Sequence, residues 1–227
     1  MSHRAKNRGN AAPPLSSGHR GVPAPDAGHS GLGLERIVFF SDAVFAIAIT
    51  LLVLEIRLPP LPLDASDRDL LLALVGLIPR LAGFLVSFFL IGQTWVEHHK
   101  LWGCIGRHDT GLVWKNLFML LFVAVVPFTT ALFSEHHTSR VALVVYAAAF
   151  ALMGLAKVAL WRHARAHGLL YEDLDAGFVA SLGARTWAGP LGALVVLGLA
   201  SARVPFAWGG FMAIPILALL LHRSARP

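Results

Sequence analysis

Cysteine is almost absent from this chain of 227 residues: Cys104 stands alone, so no intrachain disulfide can form and no Cys-x-x-Cys metal site exists. Charge is scarce as well. Charged residues make up 14% of the chain against about 25% in an ordinary soluble domain, while 56% of side chains are apolar and mean hydropathy is +0.65. That balance excludes a soluble fold and predicts a polytopic membrane protein. No compact apolar stretch followed by a small-residue cleavage site opens the chain, which excludes a secretory signal. No His-Glu-x-x-His motif is present, and the neighbouring His98 and His99 would point about 100° apart on a helix, which argues against a metal-dependent enzyme. The net charge of +6 and pI near 10.2 do not indicate nucleic acid, because the basic residues sit between apolar blocks.

What is present is a series of apolar runs. About 20 apolar residues cross a bilayer as a helix. Six runs qualify, over residues 36–58, 70–97, 112–133, 140–161, 184–201 and 204–222. Pro59-Pro60 ends the first, Pro79-Arg80 interrupts the second, Pro127 lies within the third, and a very short link joins the last two. The expected organisation is a disordered basic cytoplasmic tail over 1–33, a six-helix membrane domain over 34–222 and a short cytoplasmic tail over 223–227. Thirteen Lys and Arg fall on the side that carries the two ends and four on the other. The positive-inside rule therefore places both termini in the cytoplasm. Lys157, near the cytoplasmic end of its span, is expected to snorkel, and Arg80 to reach the outer interface.

The first span is the most informative. It carries Arg36 at its start and Ser41-Asp42 near that end, although a charge inside a spanning helix costs roughly 2.5–3.5 kcal/mol on insertion scales. On a helical wheel Arg36, Phe40, Ala43, Ile47, Thr50, Leu51 and Leu54 form one stripe about 100° wide. Ser41 and Asp42 leave that stripe. Two readings stay open. In a symmetric oligomer the stripe would surround an axis, with Ile47 about 16 Å below Arg36 as a dewetting constriction; otherwise it packs against another helix or lipid. Buried polar groups need partners, and those at a similar depth are Trp95 and His98, three apart on one helix face, and Asn116. A structural cluster joining Asp42 to some of Arg36, Trp95, His98 and Asn116 is expected.

Arg36-xxx-Phe40-Ser41-Asp42 followed by Ala46-Ile47-x-x-Thr50-Leu51-Leu52-x-Leu54 resembles the first-helix signature of the transmembrane protein 175 potassium channel family. The Trp95-xx-His98 pair and Asn116 also resemble the family pattern, more weakly. The resemblance implies an all-α membrane protein, a prokaryotic single-repeat member with six transmembrane helices per subunit. It implies a homotetramer in the cell membrane, its central pore lined by helix 1. It implies a potassium-preferring leak channel with K+ as permeant ion and no cofactor, in which Ile47 is the narrowest ring, Leu51 and Leu54 are further apolar rings, Thr50 helps choose among monovalent cations, and Arg36, Phe40, Ser41 and Asp42 hold the helix in place. The Thr-Val-Gly-Tyr-Gly filter of ordinary potassium channels is absent. Two other functions keep a place beside this one: a proton-conducting channel, since a narrow water wire can pass protons, and a secondary transporter, although the two halves show no evident self-similarity.

Overall fold

A computed structural model describes residues 27–201 together with Gly210, Leu217 and Leu220. Residues 1–26 of the tail expected over 1–33, and nearly all of the sixth expected span with the link before it, lie outside the described residues.

Among the described residues seven helices run in order: α1 (Ala27–Leu54), α2 (Asp67–Gly76), α3 (Ile78–Trp102), α4 (Thr110–Glu135), α5 (Arg140–Ala166), α6 (Ala176–Arg185) and α7 (Ala188–Ser201). Five stretches among the described residues are long and apolar enough to cross a membrane, the fifth formed by α6 and α7 together. Several boundaries differ from expectation. α1 begins at Ala27, inside the stretch read as tail, and ends at Leu54 rather than 58; in a continued helix the Pro59 ring would clash with the Glu55 carbonyl. The second expected span is two helices. Leu77 closes α2 and opens α3, and Pro79 sits in the first turn of α3, where its missing N–H costs nothing. α3 then continues past residue 97 to Trp102. The fifth expected span starts earlier, at α6, whose Asp175 cap accepts from the Phe178 N–H at 2.7 Å.

α4 and α5 form the centre of the bundle, with α3 and α1 on one side and α7 on another. Their common core includes Phe45, Leu52, Ile91, Met119, Val123, Tyr146 and Phe150. Two devices bring the helices close. A Cβ at Gly154 of α5 would lie 2.4 Å from Pro190 Cδ of α7, so only glycine permits this crossing, a common solution where apolar helices pack in lipid. The Ser87 hydroxyl lies 2.8 Å from both the Thr130 hydroxyl and the Tyr146 hydroxyl, linking α3, α4 and α5. Gly168 ends α5 in the left-handed region at φ 61°. The chain beyond it is tied to the α3–α4 loop: the Gly106 and Arg107 N–H groups donate to the Leu169 carbonyl, and the Tyr171 N–H donates to that of Cys104.

Candidate functional site on the first helix

α1 presents two opposite faces. Ser41, Phe45, Ala48 and Leu52, spaced at helical intervals, are buried against α3 and α4. Arg36, Phe40, Ala43, Ile47, Thr50, Leu51 and Leu54 are all exposed in the single chain, Ile47 to 58% and Leu54 to 60%. The stripe read from the wheel is thus the face that the described helices leave uncovered. The Thr50 hydroxyl donates to the Ile47 carbonyl at 2.9 Å. Its proton is spent on its own helix, and its oxygen lone pairs are left facing outward.

The buried face is positioned by polar contacts. Trp95 Nε1–H donates to Asp42 Oδ1 at 2.8 Å, and Asn116 Nδ2–H donates to Ser41 Oγ at 2.9 Å. The Ser41 hydroxyl in turn donates to the Ile37 carbonyl. His98 Nε2 lies 2.9 Å from Asn116 Oδ1, while Trp102 Nε1–H approaches the same nitrogen at 2.7 Å. These two contacts compete: as an acceptor Nε2 serves Trp102, as a donor it serves Asn116. Phe45 packs on the imidazole with ring centroids 5.4 Å apart. Ser41, Asp42, Trp95, His98 and Asn116 are therefore brought together from α1, α3 and α4. Arg36 and Phe40 are not; both point away on the exposed face.

One expectation is corrected. Lys157 does not snorkel: it is 2% exposed and its Nζ donates to Glu97 of α3, itself 4% exposed, in a buried ion pair. The gain in one deep charge–charge contact outweighs the reach of the side chain to the interface. Among the described residues no group of three His, Cys, Asp or Glu side chains could hold a metal. Arg80 donates to the Arg57 carbonyl at 2.9 Å and lies 3.6 Å from Glu135.

Below the network, Asp109 caps α4. Its Oδ1 accepts from the Leu112 N–H at 2.6 Å, and its carboxylate meets His163 of α5 at 2.9 Å. Burial pushes the carboxyl up, but the Leu112 N–H and His163 outweigh it, so Asp109 titrates below the usual carboxylate value. Burial alone pushes the Cys104 thiol up, which leaves it inert at neutral pH.

The family model described as endosomal/lysosomal potassium channel TMEM175 matches residues 36–127. A potassium channel of Streptomyces collinus is 38% identical over 175 residues, covering 75% of this chain and 84% of its own length. The chain belongs to the TMEM175 family. A crystal structure of a lysosomal potassium-selective channel TMEM175 homolog from Chamaesiphon minutus superposes with a TM-score of 0.67 at 32% identity, covering 86% of this chain and 99% of the other. The endosomal/lysosomal proton channel TMEM175 of Homo sapiens is 35% identical over 104 residues, covering 44% of this chain and 21% of its own length. This TMEM175 protein is an ion channel of the membrane and not an enzyme. The matched segment contains both faces of α1 and every member of the Ser41–Asn116 network. It also contains Glu97, whereas the partner Lys157 lies beyond it.

Proposed function

We propose that this TMEM175 protein is a potassium-preferring cation leak channel in which four copies of α1 surround a central axis. The observation that carries the reading is the uncovered stripe of α1, which places Ile47, Leu51 and Leu54 in line with the Thr50 hydroxyl, opposite the face held by Phe45, Ala48 and Leu52. Rings of branched aliphatic side chains near mid-membrane gate by dewetting. Such a ring cannot replace the hydration shell of an ion as carbonyl oxygens do. Selectivity then rests on partial dehydration, which costs less for potassium than for sodium, assisted by the outward lone pairs of Thr50. The preference is accordingly weaker than that of a carbonyl filter. Both termini lie in the cytoplasm of a prokaryotic cell, on the Lys/Arg bias of the chain.

The Ser41–Asp42–Trp95–His98–Asn116 network holds the rotation of α1, which decides whether Ile47 faces the axis. In an assembled channel Arg36 is expected to pair with Asp42 or a carbonyl; unpaired, its charge at the mouth would repel cations. The test is ion flux into liposomes carrying the purified protein, potassium and sodium compared. Ile47→Asn wets the waist and raises cation flux; unchanged flux removes Ile47 as the gate. A second reading, proton conduction through the same waist, is favoured by the name of the human relative. Reversal potentials measured in opposed pH and potassium gradients separate the two.

A further inference from the structure

Two cavities adjoin at the end of the bundle opposite the Ser41–Asn116 network. The first, about 360 Å³, is walled mainly by carbon from Pro79, Ala82, Gly83, Val86, Phe133 and Tyr146. The second, about 470 Å³, lies between α2 and the facing ends of α3 and α4, and includes Arg80, Ser134, Glu135 and His137. Pro79 and His137 line both, so the chambers meet there. Each volume falls in the range of ligand sites, about 300–1,000 Å³.

The second chamber carries unused donors. A guanidinium offers five N–H groups; Arg80 donates one to the Arg57 carbonyl and forms an ion pair with Glu135 at 3.6 Å, beyond hydrogen-bond distance, so further N–H groups remain to donate. The Ser134 hydroxyl is buried and has no partner among the described residues. Gly83 lets this hydroxyl pack close against α3, since a Cβ there would lie 2.2 Å from Ser134 Oγ. α2 itself buries no residue, so it stands off the bundle and leaves this crevice unfilled. A carbon-walled chamber joined to a cation and an orphaned hydroxyl suits an amphiphile with an anionic head. α3 and α4 are apolar enough to cross the membrane, so the amphiphile at hand is bilayer lipid.

We propose that the paired cavity binds a glycerophospholipid, its phosphate at Arg80 and Ser134 and one acyl chain in the chamber beside Pro79 and Tyr146. The phosphate takes the place that the half-exposed Glu135 carboxylate only approaches. An acyl chain leaves one apolar medium for another and gains little by the transfer, so the preference resides in the head. This site is independent of the pore, and its test does not read ion flux.

Native mass spectrometry of the full-length protein, delipidated and then offered dioleoylphosphatidylglycerol or dioleoylglycerol, measures that preference. The wild type is expected to retain the phosphate-bearing lipid about tenfold better, the scale of one charge-assisted hydrogen-bond set. Arg80→Gln should erase the difference. Ala82→Trp should fill the first chamber and release both lipids while eluting as the wild type does; Val86→Phe provides the same block if Ala82→Trp misfolds. Equal retention of the two lipids by the wild type overturns the proposal, as does full retention by a well-folded blocked variant. Displacement of the lipid by inorganic phosphate would reduce the site to an anion pocket and overturn the acyl assignment. A blocked variant that retains lipid normally but changes in oligomer mass would identify a second copy of the chain as the occupant, and so overturn it too.

Discussion

At the scale of single residues, Glu97 and Lys157 form the most deeply buried ion pair among the described residues. Both are buried in the bundle, on α3 and α5. Two charges taken out of water are tolerable while paired; removing one leaves an uncompensated charge, at about 3–5 kcal/mol. Glu97→Ala should therefore lower the temperature at which the purified channel stops eluting as a single species. Glu97→Leu combined with Lys157→Met should recover most of that loss, because apolar side chains of similar volume replace a buried pair at little cost. A double variant as unstable as the single one would mean that the pair acts through something other than its charges. Thr50 makes a contrasting case. Its hydroxyl bonds only to its own helix and touches no core, so Thr50→Ala should leave folding intact and reduce the potassium-over-sodium permeability ratio. An unchanged ratio would take Thr50 out of the selectivity account.

At the scale of elements, ends and breaks matter more than lengths. α4 starts where Asp109 satisfies the Leu112 N–H and simultaneously meets His163 of α5, so one carboxylate both caps a helix and joins two. Asp109→Ala should cost about 1 kcal/mol, the usual value of a lost N-cap. The pH dependence has a definite sign. A carboxylate titrating lower in the folded state than in the unfolded chain contributes stability above the unfolded value, 3.8, and that contribution is lost as pH falls through the lower folded value. The stability gap between wild type and Asp109→Ala should thus be full at neutral pH and narrow below about pH 4. Thermal unfolding of both proteins at neutral and acid pH measures it. The α2–α3 break at Leu77 belongs to the same scale. Pro79 in the first turn of α3 converts one long apolar run into a short loosely packed helix and a membrane-crossing one, and the crevice between them is the proposed lipid site.

At the scale of the whole molecule, the described helices leave one side of α1 uncovered. α1 buries Ser41, Phe45, Ala48 and Leu52 and leaves the Ile47–Leu51–Leu54 face open. What sets that face outward is the Trp95–Asp42 bond together with the Asn116–Ser41 bond. Asp42→Ala should free the rotation of α1 and impair assembly more than it changes the conductance of the channels that do form. Size-exclusion chromatography with mass determination checks this, and a full-size assembly of the variant would place the registration of α1 in the other contacts.

Much of this was legible in the residues. Apolar run length and the spacing of Lys and Arg predict a multi-pass helical protein. The wheel of α1 separates its two faces because helical periodicity is a local property, and depth along neighbouring runs predicts a cluster joining Asp42 to some of Arg36, Trp95, His98 and Asn116; the packing decides that Trp95 takes Asp42 while Asn116 takes Ser41. Other features were not legible because they depend on which helices touch. Glu97 and Lys157 lie 60 positions apart, and hydropathy treats each as an isolated cost. The division of the second span at Leu77 follows from how a proline is accommodated, as a kink or as the start of a new helix, and local sequence permits both. The membrane character and the orientation of α1 follow from short-range pattern; pairing of charges, capping across helices and the cavities arise only when distant segments pack and must share or fill the space between them.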